Sequence, residues 1–117
     1  MKRDMDAIRK IVLAAKDAEK QINNLEGMDQ QTFMSSVALL HEAGLAHAAV
    51  RESHGVVQAA MLFRLTWNGH EFADAIKDEG LWSKAREVVL KPAAGWTFRI
   101  LTEYLNAQIL GRLPGVQ

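Results

Sequence analysis

The chain has 117 residues, an ordinary size for one domain, and its 14 basic residues balance 14 acidic ones, so net charge directs it towards neither phosphate nor membrane nor acidic partners. It contains no cysteine, which excludes disulfides, zinc–thiolate sites and a thiol nucleophile. The uncharged, mostly apolar run of residues 55–63 is far shorter than the ~20 residues of a membrane-spanning helix. The first residues, MKRDMD, place acids where a secretion signal is basic, so we expect a cytoplasmic protein.

Two amphipathic helices are predicted in the first third of the chain. The first covers residues 4–22, and Asp4 is its expected N-cap. The second covers residues 30–43, with Asp29 as its N-cap and Gly44 in the left-handed conformation that ends it. The segment between the two helices is too short for a further full helix.

A β-hairpin and three more helices are predicted after residue 44. Residues 45–51 and 56–65 are rich in small and β-branched side chains, they flank Glu52-Ser53-His54-Gly55, and residues 58–65 alternate in type. The later helices begin at Thr66, which caps its own helix, at about residue 81 and at about residue 97. The fold class is mainly α with a small hairpin (α+β), in the order of a winged helix-turn-helix. We expect one domain, with residues 1–66 as core and residues 67–117 as a helical extension.

Several strings carry a resemblance to known proteins. LLHEAGL (39–45) resembles the end of a recognition helix entering a wing, and RLTWNG (64–69) resembles the Leu-Thr-x-x-Gly wing exit of bacterial winged-helix regulators. With MKRDMDAIRKIVL (1–13) and RLTWNGHEFADAIKDEGLWSKARE (64–87), they resemble a phage and prophage family of unknown function, similar in layout to the YjcQ-like winged-helix proteins. The resemblance covers roughly residues 1–107 and implies a cytoplasmic, phage-related winged-helix protein. It implies no catalytic or binding residues.

The second helix and the wing supply the candidates for binding double-stranded DNA: Gln30, Gln31, Met34, Ser35, Arg51 and His54. Glutamine amides suit adenine edges and methionine suits a thymine methyl group, while the two wing residues would contact the backbone or minor groove. Charge opposes this reading, because residues 29–66 hold Arg51 and Arg64 against Asp29, Glu42 and Glu52, a net charge of −1. The alternative interpretation is that these polar residues simply face solvent on an amphipathic helix. The alternative function is a winged-helix module that docks on a host or phage protein without binding DNA.

No catalytic centre, cofactor or metal site is indicated. The histidines lack ligand spacing with a third ligand nearby, so solvent-facing or capping roles are favoured for His41, His47, His54 and His70. The serines lie in no nucleophile motif, and no glycine-rich loop links a strand to a helix. We therefore expect a protein that is not an enzyme.

The aromatic residues follow the hairpin. Trp67, Trp82 and Phe72 are expected in the core, whereas Trp96 suits either the core or an interface. The last helix is expected to form a homodimer contact through Phe98, Leu101, Tyr104, Leu105 and Ile109. Ile100 and Tyr104 widen this apolar line beyond what one neighbour needs, although both could instead pack within one chain.

Overall fold

The computed structural model describes residues 4–90 and 98–110, and over those residues the chain is α+β, with five α-helices and a two-stranded antiparallel hairpin. In chain order the elements are α1 (Met5–Asp17), α2 (Gln30–Glu42), β1 (Ala46–Ser53), β2 (Val56–Leu65), α3 (Trp67–Ile76), α4 (Glu79–Ala85) and α5 (Phe98–Leu110). A π-helical segment, Arg86–Leu90, continues α4. The order of elements is winged-helix-like, as the sequence predicts. None of the described helices is long and apolar enough to cross a membrane.

The chain divides into two compact units between Ala73 and Asp74, inside α3. The first unit holds α1, α2 and the hairpin, and the second holds α4 and α5. The sequence placed the start of the C-terminal extension at residue 67, before α3. The division instead falls in the second half of that helix.

The helix boundaries follow from their caps. The Asp4 carboxylate accepts a 3.0 Å hydrogen bond from the backbone amide of Ala7, and the Asp29 carboxylate accepts one of 3.0 Å from that of Thr32. Both predicted N-caps are therefore confirmed. Gly44, with φ +78°, follows α2 in the predicted left-handed conformation.

Helix α1 ends at Asp17 rather than near Ile22, because Ile22 joins the sheet. The backbone amide of Ile22 donates to the Leu62 carbonyl, and the Leu62 amide donates to the Ile22 carbonyl, both at 2.9 Å. A turn closed by a 3.1 Å hydrogen bond from the Met28 amide to the Leu25 carbonyl then leads to α2. This turn occupies the place where a full helix-turn-helix has another helix, as the short segment predicts.

The core of the first unit lies where α2 packs against α1 and the hairpin. Its most buried large side chains are Ile8, Ile11 and Val12 of α1, Phe33, Val37 and Leu40 of α2, and Val57, Leu62 and Leu65 of β2. Burial of this apolar area is the main stabilising contribution to the unit.

The hairpin turns through two residues, His54 and Gly55, whose φ angles of 53° and 77° are both positive. A two-residue loop with that conformation matches the right-handed twist of the paired strands. Two β-bulges interrupt the pairing. His47 and Ala48 face Arg64 and Leu62, so Phe63 is an extra residue; Arg51 and Glu52 face Ala59 and Val57, so Gln58 is another.

The bulges break the strict alternation predicted for residues 58–65. The buried residues of β2 are Val57, Ala60, Leu62 and Leu65, at spacings of three, two and three. A simple period of two would place part of this set on the solvent side. Each bulge therefore restores the apolar residues that follow it to the core side.

Thr66 fastens the exit of the hairpin to the end of α2 and to the start of α3. Its hydroxyl donates to the Gly44 carbonyl at 2.7 Å and accepts from the Gly69 amide at 3.0 Å. Its own amide donates to the Leu45 carbonyl at 3.0 Å. A Cβ atom on Gly69 would lie 1.9 Å from that same carbonyl oxygen, so only glycine fits. The predicted cap is confirmed, and the Leu-Thr-x-x-Gly string has a physical basis.

The two described tryptophans differ from each other. Phe72 of α3 is buried as predicted, but Trp67 is 79% exposed, so its predicted place in the core is wrong. Because Thr66 is the cap, Trp67 is the first residue of α3, and its indole N–H donates to the Glu71 carboxylate at 2.5 Å. Trp82 of α4 is buried as predicted, and Trp96 lies outside the described residues.

In the second unit, α4 packs on α5. Leu81, Trp82 and Ala85 are buried there, together with Leu101 and Leu105. Val88, in the π-helical segment, is 51% exposed, because the wider π-helical turn shifts the residues that follow α4 to another face.

Candidate functional site

Helix α2, the predicted recognition helix, exposes its two ends rather than its middle. Residues 32–40 are all buried or half-buried, whereas Gln30, Gln31, His41 and Glu42 are exposed. A recognition helix that lies in the major groove contacts base edges mainly through its N-terminal residues. In this fold α2 offers DNA little more than its N-terminal end.

The predicted DNA-binding residues of α2 are partly engaged inside the protein. The Gln30 side-chain amide donates to the Asn23 carbonyl at 2.9 Å. The Gln31 amide donates to the Val57 carbonyl at 3.3 Å and lies 3.5 Å from the Ser35 hydroxyl. These bonds tie the start of α2 to the preceding segment and to β2. Met34 and Ser35 are half-buried.

A groove of about 690 Å³ runs between the start of α2 and the hairpin. Its lining residues are Asn23, Gln30, Met34, Ala49, Val50, Arg51, Gln58, Ala59, Ala60 and Met61. Three predicted residues, Gln30, Met34 and Arg51, thus meet at one groove. Gln31, Ser35 and His54 do not line it, and His54 is exposed at the hairpin tip.

The strands carry a second feature, which we call the outer face of the hairpin. It consists of the side chains that alternate with the core-facing ones: His47, Ala49, Arg51 and Ser53 on β1, with their partners Val56, Ala59, Met61 and Arg64 on β2. Each bulge adds one residue to this face, because two bulged residues oppose one partner. Accordingly Phe63 and Arg64 are both exposed opposite His47, and Gln58 and Ala59 are both exposed opposite Arg51.

The outer face is cationic although the whole chain is neutral. Arg51 and Arg64 are its charged residues, and within the described part of the chain neither guanidinium makes a hydrogen bond or an ion pair. The carboxylate of the strands, Glu52, alternates to the opposite face. Ala49 and Met61 lie between the two arginines, and the small Ala59 lies opposite Arg51, so a ligand backbone can approach the strands closely at Ala49 and Ala59.

The sequence identified Arg51 but missed Arg64 and Phe63 as candidate site residues. The net charge of residues 29–66 combines the two arginines with acidic residues such as Glu42 and Glu52. In the fold, these acidic residues lie on other surfaces than the two arginines. Phe63 faces outward because it follows the core-facing Leu62, and a bulge keeps Arg64 on the same face beside it. Neither the composition nor the spacing of residues in the sequence predicts the bulge that lies opposite His47 and Ala48.

Two of the residues predicted to form a dimer contact are not on the surface of the chain. Leu101 and Leu105 are fully buried within a single chain, so they belong to the interior of the second unit. Ile100 is 47% exposed and Tyr104 is half-buried. The side chains of Phe98 and Ile109 lie outside those that are described. Among the described side chains of α5, exposed apolar area is therefore contributed mainly by Ile100.

Over residues 4–90 and 98–110 no three histidine, aspartate or glutamate side chains lie close enough to hold a metal ion. The four histidines, His41, His47, His54 and His70, are all exposed. His41 lies at the end of α2, where its Nδ1 atom is 3.4 Å from the Ala46 carbonyl oxygen.

Comparison with known proteins extends over most of the chain. The family described as "Hypothetical protein (DUF2513)" matches residues 2–95. An uncharacterized protein of Haemophilus influenzae (strain ATCC 51907 / DSM 11121 / KW20 / Rd) is 30% identical over 95 residues, which are 76% of this chain and 79% of that protein. No solved structure gives a significant match. The family match includes α1, α2, the hairpin, α3 and α4.

Proposed function

We propose that this chain, which belongs to the family described as hypothetical protein (DUF2513), is a winged-helix DNA-binding protein that contacts DNA mainly through the outer face of its hairpin. The observation that carries the proposal is the pair of arginines, Arg51 and Arg64, held without an ionic partner on a face that lacks carboxylates. Lysine and arginine contacts to phosphate supply most of the affinity of such proteins. The resemblance to phage proteins supports a phage-related transcriptional regulator in the cytoplasm of a bacterial host.

The spacing of the arginines suits a nucleic-acid backbone. Arg64 pairs with His47, which lies four positions before Arg51 on β1. At ~3.3 Å per residue the Cα atoms of the two arginines lie about 13 Å apart along the strand direction. One strand of B-DNA carries a phosphate per ~3.4 Å of helix axis, so arginines at this separation can reach different phosphates of one backbone.

Helix α2 has a lesser role in this proposal. Its N-terminus is poorly suited to phosphate, because the Asp29 carboxylate accepts from the Thr32 amide and adds a negative charge there. The start of α2 instead contributes Gln30 and Met34 to the groove that Arg51 also lines. Gln30 retains its carbonyl oxygen as an acceptor, and Met34 offers an apolar contact for a thymine methyl group.

The salt dependence of binding to labelled random duplex DNA tests the proposal by fluorescence anisotropy. Two phosphate contacts per chain predict a slope of log K against log salt near −1.8. Arg51→Gln and Arg64→Gln should each reduce the slope by about 0.9. Lys20→Gln, an exposed residue after α1 with the same change in charge, is the matched control. A parent that does not bind at low salt, or a control that matches the arginine variants, would contradict the proposal.

One observation favours a second candidate, a protein-interaction module that docks on a host or phage protein. Trp67 is 79% exposed at the start of α3, and exposed tryptophans are enriched among the residues that dominate protein interfaces. A module of this kind has no need of cations on α2, which carries none. The anisotropy series separates the candidates, because such a module gives no salt-dependent DNA signal.

A homodimer would double the phosphate contacts and match a two-fold DNA site. Because Leu101 and Leu105 are interior, replacing them tests the core; Ile100→Glu is the appropriate interface variant on α5. Light scattering at micromolar concentration should give about twice the chain mass of 13.0 kDa for the parent and the single-chain mass for Ile100→Glu. A monomeric parent removes the dimer from the proposal.

A further inference from the structure

We infer that the outer face of the hairpin takes single-stranded DNA in preference to duplex DNA, with Phe63 stacking on a base, Arg64 binding a phosphate next to that base and Arg51 binding a phosphate further along the strand. The inference rests on the proposed DNA binding and names the form of DNA that the same face accepts. Proteins that bind single strands combine cationic side chains along the backbone path with exposed aromatic rings on which bases stack.

The position of Phe63 carries the first step. Its side chain is 51% exposed, and the bulge places it beside Arg64 and opposite His47. It makes no ring contact within the described residues. The core beneath the strand is already filled by Leu62 and Leu65. Phe63 is therefore a half-exposed aromatic ring on a paired strand, next to a cation and outside the core.

The remainder of the outer face suits a flat, extended ligand. Between the two arginines lie Ala49 and its partner Met61, which is half-buried, and Ala59 lies opposite Arg51, so the two small side chains leave room for a base or a sugar against the strands. Arg51 at one end and Arg64 at the other give charge complementarity to the phosphates on either side. The bases of a duplex are stacked on one another inside the helix, so they cannot present a face to Phe63 without unstacking. A single strand offers both its phosphates and its base faces.

Trp67 gives a comparison within the same unit. It is more exposed than Phe63, but its indole N–H is bonded to the Glu71 carboxylate. A negative charge at the ring opposes the approach of phosphate. We therefore assign the stacking role to Phe63, and Trp67 serves as the control for loss of an exposed aromatic side chain.

The test uses the full chain and two fluorescein-labelled probes, an oligothymidine of ten nucleotides and a mixed-sequence duplex of the same length. The parent should bind the oligothymidine more tightly than the duplex. Phe63→Leu should weaken oligothymidine binding by about 5-fold or more, the lower end of a base–aromatic stack, with less than about a 2-fold effect on the duplex. Trp67→Leu should leave both affinities within about 2-fold, the scatter allowed for an uninvolved residue.

The outcomes separate this inference from the proposal beneath it. If the duplex binds as tightly as the single strand, or if Phe63→Leu leaves the oligothymidine affinity unchanged while Arg51→Gln weakens both probes, single-strand stacking is overturned and DNA binding stands. An equal loss with Trp67→Leu also overturns the assignment to Phe63. If the parent binds neither probe at low salt, the proposed function fails as well. Thermal melting of each variant verifies that it is folded.

Discussion

The two faces of the hairpin are built from the same strands but have opposite characters. The inner face holds Val57, Leu62 and Leu65, all nearly inaccessible to water, whereas the outer face holds Phe63 and Arg64, both exposed. Hydrophobicity alone does not explain the difference, because phenylalanine is as apolar as its neighbours. The backbone register decides it, since Phe63 follows the inward-facing Leu62 and so faces outward, and the bulge then keeps Arg64 outward and returns Leu65 to the core. Backbone register can therefore outweigh side-chain type in deciding which residues meet solvent.

The largest effect is expected on the inner face. Leu62→Ala should lower the free energy of unfolding by about 2–5 kcal/mol, because it removes a side chain that is 1% exposed and leaves a cavity. Urea unfolding followed by circular dichroism measures the change. A loss below about 1 kcal/mol, the level of ordinary surface substitutions, would mean that the two faces are not as different as described.

The end of the inner face provides the next test. Gly69→Ala should destabilise by about 1–3 kcal/mol, although alanine normally favours a helix, because the new Cβ atom would lie 1.9 Å from the Leu45 carbonyl oxygen and 3.1 Å from the Leu65 Cβ. Gly80→Ala in α4 is the control, since its Cβ atom would meet only a side-chain oxygen of Asp78 at 3.2 Å. Equal melting temperatures for the two variants would show that α3 does not close against the hairpin exit.

A smaller effect is expected at Trp67. Trp67→Ala removes an exposed ring and one hydrogen bond to Glu71, so the cost should stay below about 1.5 kcal/mol, the upper range for a single hydrogen bond. A core position would cost about 3–5 kcal/mol, as we expect for Trp82→Ala. Chemical unfolding of both variants gives the comparison directly. If Trp67→Ala lowers the free energy of unfolding as much as Trp82→Ala does, the exposed position of Trp67 is wrong.

The smallest effect is expected for Phe63→Ala on the outer face. Its free energy of unfolding should change by about 0.5 kcal/mol or less, because the ring is half in solvent and touches no other ring. The same urea titrations used for Leu62→Ala measure it. The two substituted residues are adjacent in sequence but lie on opposite faces of the hairpin. A similar loss of stability for both would contradict the difference between the two faces.

Elements that depend on local chemistry could be predicted from the sequence. Asp4 and Asp29 accept from amides three residues on, and Gly44 takes the left-handed conformation, so each follows from its own short segment. The hairpin was predicted for the same reason, because its turn and its strands are contiguous. Thr66 was identified as a cap from the residues that follow it.

Features that depend on distant partners could not be predicted. Ile22 continues the apolar spacing of α1, yet its backbone pairs with Leu62, forty positions along the chain. The positions of the bulges depend on which β2 residues the core accepts, and this is fixed by α1 and α2. Leu101 was assigned to an interface because the apolar face of α5 was visible in the sequence while the α4 surface that covers it was not. The candidate site was therefore only partly predicted, through Arg51, Gln30 and Met34.

The Ile22–Leu62 pair has a consequence for the order of folding. The hairpin closes through a two-residue loop, whereas this pair must close a long one at a greater cost in chain entropy. Hairpin contacts should therefore form early and the Ile22 bridge late. Hydrogen exchange during refolding would show this as earlier protection of the Ala49 and Met61 amides, which point between the two strands, than of the Ile22 amide. In the last step of folding, the segment that follows α1 would then pair with a hairpin that is already formed.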